Sequence, residues 1–331
     1  MNILVTGASG FLGRHILEQL RGEDHTVRAL SRDPLAEVAH GTVFEGDILK
    51  PETLAAPLEG VDVLIHATGL VSFEPEDARA MWRVHVEGTD NLLTAAKAAG
   101  VKRVIYISTS GTVAVSDDPD FVGTERSPSP LSIVRAWPYY RSKLFAEQCA
   151  LGHSSDAFPV ICLNPSLLLG PGDEDGQSTD SVRRFLDDRV PASPPGTLSF
   201  VDVRDVAAAV MMCMTAGEAG ERYLLSSGNI SFQDYYARLS RICDKPAPML
   251  TMPSMTRKML PWLPGFEKVT DLLGASLSKE ELDIACHNWT ASADKAIRDL
   301  GWTHMDLQQT LEDTVADLQA REGMMAPWMA R

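Results

Sequence analysis

The sequence predicts an α/β protein: a doubly wound parallel sheet followed by a smaller C-terminal α/β region. Three observations predict it. Short apolar runs alternate with stretches of helical spacing through residues 1–165. A glycine-rich turn joins the first run to the first helical stretch. The chain is 331 residues long, 44% hydrophobic and 23% charged, enough to bury a large core and ordinary for a globular protein.

The elements follow in order. Ile3-Leu4-Val5 is an apolar strand ending at Thr6-Gly7, and Phe11 to Leu20 has helical spacing. Thr26 to Leu30 and Thr42-Val43-Phe44 read as the next strands, and Val61 to His66 as a fourth. Met81 to Ala99 has helical periodicity, with Gly100 where a helix would stop. Arg103 to Ser108 and Val160 to Leu163 are further strands. Strands separated by helices need crossover connections, which are right-handed and bury the sheet on both faces. The second half is less regular. Gly170-Pro171-Gly172-Asp173 and Pro191 to Gly196 are loops, Asp202 to Met214 a helix, Arg222 to Leu225 a strand, and Ser231 to Ile242 a helix. Residues 247–280 are proline-rich and predict short helices and loops, with Ser292 to Leu300 and Asp306 to Gln319 as closing helices. The expected division is a first unit over 1–165, rejoined by 198–227, and a substrate-binding region over 166–197 and 228–331.

Thr6-Gly7-Ala8-Ser9-Gly10-Phe11-Leu12-Gly13 sits between the first strand and the first helix. The spacing is GxxGxxG. Gly7 permits a tight turn, Gly10 lets backbone N–H groups approach a pyrophosphate, and Gly13 allows close helix–strand packing. A helix N-terminus there offers unpaired donors and a positive dipole end. The expectation is a Rossmann-type dinucleotide site. The end of the second strand reads Ser31-Arg32-Asp33. A hydroxyl and a guanidinium suit a ribose 2′-phosphate and so favour NADP(H), while Asp33 on a ribose hydroxyl would leave NAD(H) open. Asp47-Ile48, after the third strand, are placed at the adenine.

Lys plus Arg number 30 and Asp plus Glu 45, a formal net charge of −15. Such a chain repels phosphate backbones, so nucleic acid is not expected as a partner. Five scattered cysteines without CxxC spacing read as free thiols in a reducing compartment, with no zinc site. No apolar run reaches membrane-spanning length, and structure begins at Asn2 with no leader, so a cytoplasmic enzyme is expected.

Pro138-Tyr139-Tyr140-Arg141-Ser142-Lys143 opens a helix with Pro138 in its first turn. Tyr139 and Lys143 are i and i+4 and share a face. An ammonium near a phenol favours the phenolate and lowers its pKa toward a working range, as proton transfer to or from a carbonyl oxygen requires. Tyr140 is a rival at i+3.

The TGxxGxxG turn and the YxxSK pattern at 139–143 together resemble the extended short-chain dehydrogenase/reductase superfamily, of the NAD-dependent epimerase/dehydratase type. The resemblance continues through His66-Ala67-Thr68-Gly69, Val84-His85-Val86-Glu87-Gly88-Thr89, Tyr106 to Ser110, Leu163-Asn164-Pro165-Ser166, Gly170 to Asp173 and Phe200 to Ala207. Within it the chain resembles dihydroflavonol-reductase-like and 3β-hydroxysteroid-dehydrogenase-like reductases, and also a hopanoid-associated sugar epimerase group. Ser31-Arg32-Asp33-Pro34 is similar to the reductases' NADP-binding turn.

The resemblance implies catalysis by Thr109, Tyr139 and Lys143, with Ser110 as the alternative to Thr109. It implies a cofactor site of Gly7, Ser9, Gly10, Phe11, Leu12, Gly13, Ser31, Arg32, Asp47, Ile48, Ala67, Thr68, Gly69, Tyr139, Lys143, Asn164, Pro165 and Ser166. His85 stands where the family usually has Asn, either tuning the site or substituting quietly. Ser110-Gly111 replace the acidic pair of dehydratases, which disfavours dehydration. Arg183, Arg184 and Arg189 could clamp a sugar-nucleotide diphosphate, whereas Leu167-Leu168-Leu169, Met211, Met214, Met249, Met252, Met255, Met259, Trp262 and Phe266 suggest an apolar pocket. The implied activity is NADP(H)-dependent reduction of a ketone or aldehyde on a small apolar molecule. A nucleotide-sugar epimerase with tightly bound NAD is the alternative, and a non-catalytic NADP sensor a third. Family members often dimerise through helices corresponding to 81–99 and 139–151.

Overall fold

The structure is a computed structural model that describes residues 1–33, 38, 40–255, 259 and 278–324, with side chains through 321. Among these residues, seven parallel strands form one sheet: β1 (Asn2–Thr6), β2 (Thr26–Ser31), β3 (Thr42–Glu45), β4 (Val63–His66), β5 (Arg103–Ile107), β6 (Val160–Pro165) and β9 (Arg222–Leu225). Their order is β3-β2-β1-β4-β5-β6-β9. This is the doubly wound, Rossmann-type order with β9 added at one edge. A second sheet holds β7 (Leu167–Leu169), β8 (Thr197–Asp202) and β10 (Gly228–Ser231), with β8 parallel to β7 and antiparallel to β10.

Helices cover both faces of the large sheet. On one face, α1 (Phe11–Leu20) and α6 (Val203–Cys213) bury Leu12, Ile16, Leu17, Val206 and Val210 against Ile3, Val5, Ile105 and Ile161. On the other, α3 (Gly88–Ala98) and α4 (Pro138–Gly152) bury Leu92, Leu93, Ala146 and Ala150 against Leu4, Leu64, Val104 and Cys162. The odd and even strand residues serve opposite faces, as the pleat requires. The predicted helix from Met81 is instead α2 (Ala78–Trp82), a π-helical turn over Arg83–Glu87, and then α3. Such turns widen one helical step and often sit at functional sites.

The remaining labelled helices are α5 (Asp180–Leu186), α7 (Phe232–Cys243), α8 (Lys279–Ala285), α9 (Asp294–Leu300) and α10 (Leu307–Met324). Phe200, Leu198, Tyr235, Leu239, Leu311 and Val315 form the core between the small sheet and α5, α7 and α10. Asp202 caps α6 by accepting from the Arg204 N–H, and Ser278 opens α8 with a capping box to Glu281.

One loop ties the two regions together. Arg14 and His15 on α1 bond the carbonyls of Gly172 (2.8 Å) and Pro171 (2.9 Å). From the other side, Thr314 and Asp317 of α10 accept from the N–H groups of Gly170 (2.8 Å) and Gly172 (3.0 Å), and Arg321 donates to the Asp173 carbonyl. The Asp173 carboxylate, buried, accepts from the backbone of Ser178 and Thr179 and fixes the loop's own shape.

All five cysteines are free thiols. Among the described residues, no helix is long and apolar enough to cross a membrane.

Candidate active site

The strand order reverses beside β1, so the crevice at its C-terminal end is where ligands bind in such sheets. The glycine turn lies there. Gly7 is left-handed (φ +70°), and a Cβ on it would stand 2.6 Å from the Ala67 carbonyl oxygen. A Cβ on Gly13 would stand 2.0 Å from the Gly7 oxygen. Gly10 is the extended N-cap of α1 and carries no side-chain cap. The first turn of α1 therefore presents its leading N–H groups to the cavity it lines. These residues fit a dinucleotide pyrophosphate, because the backbone approach they allow is closed to any residue with a Cβ.

That cavity, about 480 Å³, brings most of the expected site together. Gly7, Gly10, Phe11, Leu12, Gly13, Ala67, Thr68, Gly69, Tyr139, Lys143, Pro165 and Ser166 line it, as do Thr109 and Ser110. The other expected cofactor residues lie off its wall. Ser9 is exposed beside the turn, with its carbonyl held by Arg14 (2.6 Å). Ser31 Oγ accepts from the Asp33 N–H (3.1 Å), and Arg32 is exposed. Pro34 lies outside the described residues. Asp47 folds back to accept from the Leu49 N–H (2.9 Å). Ile48 is buried against Gly88, where a Cβ would meet its Cδ1 at 2.6 Å. Asn164 points away from the cavity, and its amide lies 3.0 Å from both the Thr109 carbonyl and Thr112 Oγ1.

Pro138 starts α4 at N1, after Trp137 in extended conformation, and this places Tyr139 and Lys143 one turn apart on the cavity side. Lys143 Nζ donates to the Ile107 carbonyl (2.6 Å) and to Tyr106 Oη (3.3 Å). Burial lowers its pKa to about 8, opposed by the nearby Glu147 carboxylate. Burial also pushes Tyr139 up to about 12. The direction differs from the sequence expectation of a lowered phenol. Here the ammonium spends its hydrogen bonds on Ile107 and Tyr106, and desolvation governs the ring. Tyr139 thus keeps its proton at neutral pH, as a general acid must. Thr109 Oγ1 accepts from the Gly111 N–H (3.3 Å) at the start of a 3-10 turn, with Ser110 beside it. The rival Tyr140 also lines the cavity, packed on Trp289 and on Gly111, where a Cβ would meet its ring at 2.4 Å.

His85 occupies the π-helical turn and bridges the two sides of the site. Its Nε2 accepts from the Leu70 N–H (3.0 Å), so Nδ1 carries the proton, 2.8 Å from Ser142 Oγ. Ser142 in turn donates to the Tyr139 carbonyl (2.7 Å). Burial, with Lys143 and His66 nearby, lowers the His85 pKa to about 2. His66 lies between Thr6 Oγ1 (2.8 Å) and Thr89 Oγ1 (3.0 Å), and burial lowers it to about 3. Both rings stay neutral through the physiological range. In the unfolded chain each would protonate from its ordinary value of 6.5. The unfolded state therefore binds more protons below 6.5, and folding stability is expected to fall steadily as pH drops from there toward 3. His85→Asn should remove about half of that slope, read as Tm against pH.

The far wall differs in character. Val71, Phe73, Leu168, Met252, Ile284 and Trp289 give it an apolar patch, beside the charged Asp175, Asp180, Arg184, Arg189 and Glu281. Of the apolar residues expected at a pocket, Leu167, Leu168 and Met252 line the cavity. Leu169, Met211 and Met214 belong to the core. Met249, Met255 and Met259 are 95%, 65% and 54% exposed, and Trp262 and Phe266 lie outside the described residues. Arg184 reaches the cavity but is held between Asp180 and Glu281 (2.6 Å to the latter). Arg189 is also on the wall, while the Arg183 guanidinium lies over Gly176. Sequence reading missed Glu147, buried one turn beyond Lys143, and the Trp289 and Ile284 wall. Glu147 was detectable only as a charge on the apolar side of α4. Away from the cavity, Asp90 of α3 pairs with His153 (2.8 Å) beside Cys149 of α4.

Comparison with known proteins agrees with this geometry. Residues 3–226 match the family described as NAD dependent epimerase/dehydratase. The chain is 32% identical over 323 residues to a Synechocystis protein provisionally named dihydroflavonol 4-reductase, covering 94% of this chain and 92% of that one. It is 30% identical over 238 residues to a Stigmatella aurantiaca protein named 4-hydroxy-2-methyl-3-oxo-4-farnesyl-3,4-dihydroquinoline-1-oxide ketoreductase, covering 69% of each. The crystal structure of gox2253 superimposes with a TM-score of 0.82 at 28% identity, covering 96% of this chain and 98% of that one. The chain belongs to the NAD-dependent epimerase/dehydratase family, that is, to the NAD(P)-dependent enzymes of the extended short-chain dehydrogenase/reductase type.

Proposed function

We propose that the protein is an NADP(H)-dependent reductase of a ketone or aldehyde carried on a small, largely apolar molecule. One observation carries the reading. Tyr139, Lys143 and the Thr109–Ser110 hydroxyls open onto the same cavity as the glycine turn, and an apolar patch of Val71, Phe73, Leu168, Met252, Ile284 and Trp289 lies on the same wall as Arg184, Arg189 and Asp175. The similarity to proteins named as reductases supports it.

When bound, the nicotinamide supplies hydride to the carbonyl carbon. The chain's own residues do the rest. Thr109, or Ser110 beside it, donates a hydrogen bond to the carbonyl oxygen and holds it at the phenol. Tyr139 gives its proton to that oxygen as the C–O double bond becomes an alcohol. The phenolate left behind is favoured by the Lys143 ammonium one turn away. The reaction needs that ammonium, so turnover is expected to decline as pH rises through about 8. We assign the cofactor role to Gly7, Ser9, Gly10, Phe11, Leu12, Gly13, Ala67, Thr68, Gly69, Pro165 and Ser166, with Arg32 as the residue that would hold a ribose 2′-phosphate. Substrate binding falls to 166–197 and the residues after 228. The reading includes a homodimer through the helical segments over 81–99 and 139–151, which light scattering tests.

The nucleotide-sugar alternative needs cations free for a diphosphate. Arg184 is already compensated by two carboxylates, and Asp175 adds further negative charge to the wall. That counts against it.

The test begins with the purified protein. Denaturation followed by identification of any released nucleotide, then titration with NADPH and NADH, separates the readings. An empty site preferring NADPH is the expected result; stoichiometric NAD retained through purification would overturn the reductase reading. Arg32→Ala is expected to weaken NADPH about 10-fold or more while NADH changes less than about 3-fold, since only the former carries the 2′-phosphate.

A further inference from the structure

We propose that Glu147 is a positioning residue for this reaction: a buried carboxylate that fixes the Thr109–Ser110 hydroxyls relative to the Tyr139–Lys143 helix and keeps Lys143 cationic. The proposal rests on the catalytic reading above.

Glu147 is 1% exposed and lies one helical turn past Lys143 on α4. A charge so placed must be fully partnered to be tolerated. Its Oε2 is within hydrogen-bond distance of Ser108 Oγ, Thr112 Oγ1 (2.9 Å) and Asn164 Nδ2, and its Oε1 is 3.1 Å from Arg222 Nη2. These partners come from the end of β5, the 3-10 turn after it, β6 and β9. Three of them lead directly to Thr109. Ser108 precedes it in the chain, and Thr112 Oγ1 and Asn164 Nδ2 each lie 3.0 Å from its carbonyl oxygen. One carboxylate thus joins the segment that offers the hydroxyl to the helix that offers the phenol and the ammonium. An apolar residue would fill the space but would not set this register.

The charge has its own consequence. Lys143 is surrounded by Tyr106 from β5, Cys162 from β6, His66 from β4, His85 from the π-helical turn, and Tyr139 and Glu147 on its own helix. Burial raises Tyr106, Tyr139 and Cys162, and both histidines are neutral. Among the described residues, Glu147, balanced at its other oxygen by Arg222, is the anion that supports the ammonium. Without it, desolvation alone would drive the Lys143 proton off at lower pH.

The experiment compares the parent, Glu147→Gln, Thr112→Val and Tyr139→Phe. Two readouts are taken: isotope-labelled lysine NMR, with Lys143 identified by its loss in Lys143→Met, and NADPH oxidation with cinnamaldehyde as the carbonyl probe. Glu147→Gln is expected to lower the Lys143 midpoint, and the alkaline limb of kcat with it, by about one pH unit. It should lower kcat at neutral pH about 10- to 100-fold, with KM changed less than about 3-fold. Thr112→Val retains the charge and is expected to lower kcat about 3- to 10-fold with the midpoint unmoved. It decides the positioning role if Glu147→Gln does not fold. A parental midpoint and parental kcat in a folded Glu147→Gln, or a parental kcat in Thr112→Val, overturns the proposal. Tyr139→Phe keeps the two failures apart. If it turns over like the parent, the catalytic reading has failed. If it is inactive while Glu147→Gln behaves as the parent, only the role of Glu147 has. The NMR midpoint needs no substrate, so it reports on Glu147 even if cinnamaldehyde is not reduced.

Discussion

Tyr139→Phe is expected to lower turnover about 100- to 10,000-fold, the range supplied by a positioned general acid. The substitution deletes one oxygen and leaves the ring. That ring packs edge-on against His85 (5.8 Å) and Tyr140 (5.0 Å), so the site's shape should persist. Cofactor affinity should stay within about 3-fold, because the pyrophosphate cradle is built from the backbone of another segment. Stopped-flow turnover beside a fluorescence titration of NADPH checks both halves. Turnover within a few-fold of the parent would remove Tyr139 from the mechanism and turn attention to Tyr140. Tyr140→Phe is the paired control and should be far milder, since its ring serves as packing against Gly111 and Trp289.

The second large effect belongs to Gly13. A methyl there would stand 2.0 Å from the Gly7 oxygen and 2.8 Å from the Ala8 Cα. Both neighbours are backbone and cannot rotate aside, so α1 would have to move off the turn. Gly13→Ala is expected to destabilise the protein by about 1–3 kcal/mol, the usual cost of overpacking, and to weaken dinucleotide binding more than about 10-fold. Urea denaturation and cofactor titration measure the two losses. Gly152→Ala is the matched control: it ends α4 with open space around its Cβ position, and there the same methyl should be neutral or stabilise by about 0.5 kcal/mol. An intact Gly13→Ala that binds cofactor normally would contradict the close approach of helix and turn.

The sequence made the large sheet readable because parallel strands buried on both faces are apolar runs, and Ile3 to Val5, Leu64-Ile65 and Arg103 to Ile107 stand out against the helices between them. Leu198 to Val201 did not stand out. Its strand runs straight into α6 through the capping residue Asp202, so pattern alone assigns its end to the helix. The π-helical turn at Arg83–Glu87 is likewise invisible to a search at 3.6 residues per turn. Tyr139, Lys143 and the three glycines carry local spacing that chemistry can interpret. Glu147 carries none, because its partners arrive from four separate elements and acquire meaning only once the chain is folded. The methionines misled in the opposite way: three of those that suggested a pocket are turned to solvent, since composition records what a region contains and not where it faces.

The loop over 170–173, gripped by α1 on one side and α10 on the other, makes the far end of the chain a stakeholder in cofactor affinity. A ligand that steadies the first turn of α1 also lowers the odds that this loop, and the helix behind it, open together. Amide protons of α10 near Thr314 should then exchange with solvent more slowly when the dinucleotide is present, although none of them touches it. Replacing Asp317 with Ala, which removes the acceptor for the Gly172 N–H, should weaken binding at the glycine turn to the extent that it depopulates the closed loop.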